Sequence, residues 1–158
     1  MNLREAFLNL TGEQKRFVHF QLCENSLGIL EKYLDETGRI EYVESVVGTL
    51  QVFDPKLPRD AFESAQNGGN LYDTDYRFAE PIAAIQDDDL SFINHIELAF
   101  FSIYNLFQKY VLHREIEDWV IVNQALSAET DDEKLAQLLE NAIDESICLI
   151  ELRQNFLN

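Results

Sequence analysis

From Phe17 to Leu34 the apolar side chains Phe17, Phe20, Cys23, Leu27, Leu30 and Leu34 recur at steps of three and four. That spacing gathers them on one stripe of an α-helix and is incompatible with a strand, whose faces alternate every two residues. Phe92, Ile96, Ala99, Ile103, Leu106 and Tyr110 repeat it, and Ile93, Phe100 and Phe107 widen that stripe until most of the circumference is apolar, the mark of a helix at the centre of a domain. Leu135, Leu138, Leu139, Ala142, Ile143 and Ile147 repeat it once more. Thr11 ahead of Gln14 and Thr130 ahead of Glu133 have the capping-box form that opens a helix, and Gly38 supplies a stop. With 158 residues and only 6 Gly and 3 Pro, the chain suits one domain and lacks the turn formers of a β-sandwich. The expectation is an all-α fold: a single domain over 1–158, an irregular bundle of six to eight helices around a central apolar helix near 92–110.

Between these stripes the pattern is weaker. Residues 3–10 predict a short helix. Ile40, Val43, Val47, Leu50 and Phe53 have helical spacing although β-branched residues crowd the segment; spacing and length favour a helix ended by Asp54 and Pro55. Pro58 fits the first turn of a helix running to about Gln66. Residues 67–70 form a loop, 70–76 an irregular polar stretch, and 77–86 a helix broken or kinked near Pro81. Asp87, Asp88 and Asp89 precede the most apolar segment, where carboxylates favour a helix N-terminus. A further helix is predicted around 116–123.

Charge restricts the partners. The formal net charge is −17, and residues 80–158 hold 4 basic against 16 acidic side chains. Nucleic acid and anionic membranes bind through Lys and Arg, so neither is an expected partner; a basic protein surface is. The start has no basic segment leading into an apolar one, and no apolar run approaches a membrane span, which predicts a soluble, cytoplasmic protein. Two cysteines, Cys23 and Cys148, are too few for a disulfide scaffold and lie within helical patterns.

No motif for catalysis or a cofactor is present. There is no glycine-rich phosphate loop and no Ser or Cys on a glycine-flanked turn. His19 and Cys23, four apart on a helix, have metal-ligand spacing, yet the surrounding core residues favour a buried structural pair. Asp73 and Asp75 lack the rest of a calcium loop. An alternative reading, a carboxylate-based metal-dependent hydrolase, rests on these two residues with Asp87 to Asp89. The leading expectation needs no metal, cofactor or catalytic residue: an acidic face made by Asp87, Asp88, Asp89, Glu115, Glu117 and Asp118, with Trp119, Tyr72 and Tyr76 as aromatic anchors, docking on a basic protein.

Small size, acidity, helical patterning and the lack of catalytic motifs make the chain similar to immunity proteins of contact-dependent-inhibition and other polymorphic toxin systems. That resemblance implies a bacterial protein that neutralises one cognate toxin, such as a nuclease domain, by covering its basic active-site surface. Phe20 to Glu24, Leu71 to Asp73 and Glu80 to Ile85 also resemble the YjaG-like helical family, although no Arg follows Glu24. Neither resemblance carries active-site residues over.

Overall fold

In the computed structural model, which describes residues 2–68 and 71–157 except the side chains of 71, 72 and 157, the fold is all-α apart from one small hairpin. Its elements are α1 (Leu3–Leu8), α2 (Gly12–Thr37), β1 (Glu41–Val43), β2 (Leu50–Val52), α3 (Leu57–Asn67), α4 (Leu71–Gln86), α5 (Asn94–Tyr110), α6 (Asp118–Ala128) and α7 (Asp132–Leu157). No helix among the described residues is long and apolar enough to cross a membrane.

The capping box at Thr11 opens α2: the Thr11 hydroxyl accepts from the Gln14 N–H and the Gln14 amide oxygen accepts from the Thr11 N–H. Long and buried along one stripe, α2 serves two cores. Its outer half joins α3, α4, α5 and the hairpin around Leu27, Leu30, Phe53, Phe78, Phe100 and Phe107. Its first half joins α1, α6 and α7 around Phe7, Val18, Leu22, Val122 and Leu139. The central helix falls where the apolar stripe predicts it: α5 buries Ile96, Ala99, Phe100, Ile103, Leu106 and Phe107. Edge-on aromatic packing of Phe100 against Phe53, and of Phe53 against Phe92, ties the hairpin base to it.

Five local expectations are corrected. Residues 40–53 form an antiparallel hairpin, with Tyr42 opposite Gln51 and Val43 opposite Leu50. Gly48, at φ 75°, reverses the chain where a helix would continue, and the β-branched residues settle into the strands and turn. The stretch 70–76 is helical from Leu71, and α4 runs through Pro81, which removes one intrahelical hydrogen bond without ending the helix.

Asp87, Asp88 and Asp89 close α4 and do not open α5, whose N-cap is Ile93. The Asp88 N–H donates to the Ile85 carbonyl, the Asp89 N–H donates to the Ala84 carbonyl, and Asp88 stands at φ 62°. That is a Schellman termination with Asp in the place glycine usually takes. At the last helix Asp131, not Thr130, supplies the cap: its carboxylate accepts from the Glu133 and Lys134 N–H groups.

Candidate protein-docking surface

Alternation places the two faces of the hairpin. Tyr42 and Gln51 share the inward face, and Tyr42 is 7% exposed. Glu41, Val43, Leu50 and Val52 therefore share the outward one. A half-buried sheet normally turns its apolar residues inward; here Val43 and Leu50, cross-strand partners, are 54% and 56% exposed. At the tip Val46 and Val47 are 85% and 79% exposed. Apolar side chains exposed this far on one hairpin are candidates for contact with a partner.

The tip is held although it is bare. The Glu44 carboxylate accepts from the Val47 and Gly48 N–H groups, and the Gly48 N–H also reaches the Glu44 carbonyl at 3.0 Å. Asp89 clamps the turn from outside, accepting from the Ser45 N–H at 3.0 Å. At the base, Arg77 on α4 donates to Asp54 at 2.6 Å and to Asp60 on α3 at 2.9 Å, joining the end of the hairpin to two helices. A surface ordered before it meets a partner loses less entropy on binding.

Grooves flank the hairpin. One, of about 780 Å³, runs from Val52 and Phe53 to Leu34, Asp35 and Arg39 at the end of α2. Another, of about 480 Å³, lies beside the inward face and is walled by Gln51, Asp54, Tyr76 and Glu80.

The carboxylates singled out in the sequence fall into two groups at opposite ends of α5. Asp75 on the first turns of α4 pairs with Arg114 just beyond α5 at 3.6 Å, so the two helices run antiparallel. Asp87 to Asp89 therefore lie near the start of α5, and Glu115, Glu117 and Asp118 near its end. With 17 residues in α5, the separation is roughly 25 Å. Asp75 and Asp73 are likewise about 18 Å and about 21 Å along α4 from Asp87; these carboxylates do not converge, and no group of three His, Cys, Asp or Glu among the described residues is placed to hold a metal ion.

Asp87 and Asp88 are exposed, as are Glu115 and Glu117. Tyr76 is exposed beside the second groove; the Tyr72 side chain lies outside the described residues. Trp119 is half-buried against Phe7 with Arg4 over its ring. Asp118 is tied internally to Lys109 at 2.9 Å and Lys15 at 3.6 Å. Burial alone would raise its carboxyl, and Lys109, with His19 and Lys15, outweighs that and holds it below the ordinary carboxylate value.

His19 and Cys23 point to different partners. The Asp118 carbonyl, 2.8 Å from His19 Nε2, can only accept, so Nε2 carries the proton and Nδ1 accepts from the Tyr110 hydroxyl at 2.6 Å. Burial lowers the imidazole from 6.5 to about 4, keeping it neutral. The Cys23 thiol donates to the Ser102 carbonyl, and burial pushes it up to about 12, which leaves it inert. The pair is structural, linking α2 to α5 and α6.

The helical spacing of Val43, Val47 and Leu50 masks the hairpin in the sequence. The crowd of β-branched residues at 40–52 was the signal that pointed to it. No family model, curated protein or solved structure matches this chain.

Proposed function

We propose that this chain is an acidic protein-binding module, in particular an immunity protein that neutralises a cognate bacterial toxin by covering its basic active-site surface. The observation that carries the binding role is the outward-facing apolar hairpin, braced at tip and base, on a chain of net charge −17. Apolar side chains at the centre of an interface supply most of its affinity, while the surrounding charge speeds encounter and rejects acidic competitors. Occlusion requires no cofactor and no turnover. The toxin assignment comes from the resemblance in size, acidity and helical patterning, together with the fit between an acidic inhibitor and a nuclease cleft built to hold phosphates.

The test uses the purified product of the reading frame adjacent to this one in the native genome. Stopped-flow mixing should show tight one-to-one capture, with an association rate that falls at least about tenfold between low and high salt. Co-expression should relieve any growth arrest which that product causes. A product that fails to bind, or a capture rate indifferent to ionic strength, would overturn the reading.

A further inference from the structure

Resting on that docking role, we infer that the partner contributes an extended segment that joins the sheet as a third strand along the edge of β2, with apolar and basic side chains alternating along it. The register defines what this edge offers. The Phe53 N–H donates to Ile40 and the Glu44 N–H donates to Thr49, and Tyr42 faces Gln51, so these are the hydrogen-bonded pairs. In an antiparallel ladder the residues between them turn their N–H and C=O groups away from the partner strand. The edge groups of β2 are thus those of Leu50 and Val52.

Natural sheets protect an edge with a very short strand, a charge, proline, a bulge or a covering element, and β2 is three residues long. The Leu50, Gln51, Val52 edge has neither charge nor proline, and its apolar side chains are open to solvent. The β1 side is less available: the turn at 87–89 clamps Ser45, and the carboxylate of Glu41 is engaged by Arg39 at 2.5 Å.

The side-chain preference follows from the two faces. Positions of the added strand beside Leu50 and Val52 fall on the outward apolar face and take apolar residues. The position beside Gln51 falls over the inward groove, where Arg77 already binds Asp54, and Glu80 is the carboxylate that favours lysine or arginine. A second copy of this chain fits poorly. It brings the same −17 charge, so the two copies repel each other.

The probe is a synthetic hexapeptide alternating lysine and valine, at millimolar concentration, with amide hydrogen exchange of the hairpin read by NMR. Strand addition should slow exchange of the Leu50 and Val52 N–H groups at least about tenfold, leave Glu41 and Val43 unchanged, and vanish when the peptide's central valine is replaced by proline at equal charge. L50P, whose altered N–H lies outside the ladder, should lose the Val52 protection while keeping its helical circular dichroism. No protection, protection along β1, or equal protection by the proline peptide overturns the inference. Carboxylate shifts without amide protection also overturn it while leaving the acidic docking role intact, because that role stands or falls by the capture experiment on the neighbouring gene product.

Discussion

Asp88 and Gly48 occupy the same left-handed region of backbone space, at φ 62° and 75°, and only one of them suits it. Asp88 also brings a carboxylate to the negative end of α4, which has no basic residue in its last turn. D88G should therefore stabilise the fold by about 0.5–1 kcal/mol, seen as a higher urea midpoint at unchanged slope. A loss of stability would mean that the Asp88 side chain makes a supporting contact of its own. Gly48 gives the opposite case. Nothing stands within 4 Å of where its Cβ would be, so the whole cost of G48A is conformational. That substitution should destabilise by about 1 kcal/mol and loosen the turn that presents Val46 and Val47, measurable as faster amide exchange at Val47.

At the scale of elements, the hairpin separates stability from binding. Val43 and Leu50 face each other across the strands with their side chains in solvent, so the double substitution V43T/L50T, which leaves a β-branched side chain suited to a strand at both positions, gives up little burial. Its unfolding free energy should stay within about 0.5 kcal/mol of the parent, while dissociation of the captured partner accelerates at least about tenfold. A large stability loss with binding intact would assign those side chains to the core instead. The same element shows what could be read before the structure. The α2 and α5 stripes are legible because each has a long, consistent period along which most residues, such as Cys23, Leu27 and Leu30 or Ile96, Ile103 and Leu106, are buried. In residues 40–53 the period was accidental: Val43, Val47 and Leu50 fall three and four apart and none of them is buried. Spacing encodes a helix only where one face must be hidden from water, and a segment whose apolar residues face solvent carries no such constraint. The acidic triplet at 87–89 misled for a related reason. Carboxylates favour a helix start, but here the local Schellman hydrogen bonds decide which helix the triplet terminates.

Across the whole molecule two electrostatic effects oppose each other as pH falls. The chain carries −17 at neutral pH with a sequence pI near 4.3, so acidification relieves self-repulsion and favours the compact state. His19 acts the other way. Its folded value of about 4 lies below its ordinary 6.5, so the fold binds it neutral; that stability is complete above pH 6.5 and is lost progressively as pH drops toward 4. The loss reaches about 2 kcal/mol by pH 5. Asp118, lowered from 3.8, begins to lose its contribution only below that value and leaves the window between 6.5 and 5 to His19. H19Q retains a donor for the Asp118 carbonyl and an acceptor for Tyr110 without a titrating ring. The melting temperature of the parent should therefore hold level or fall between pH 7 and 5, whereas that of H19Q should rise as repulsion is relieved. In high salt, where repulsion is already screened, the parent should fall and the variant should stay flat. Identical profiles for the two proteins would show that protonation at His19 is not coupled to folding, and that the α2, α5 and α6 junction opens to water more readily than its burial implies.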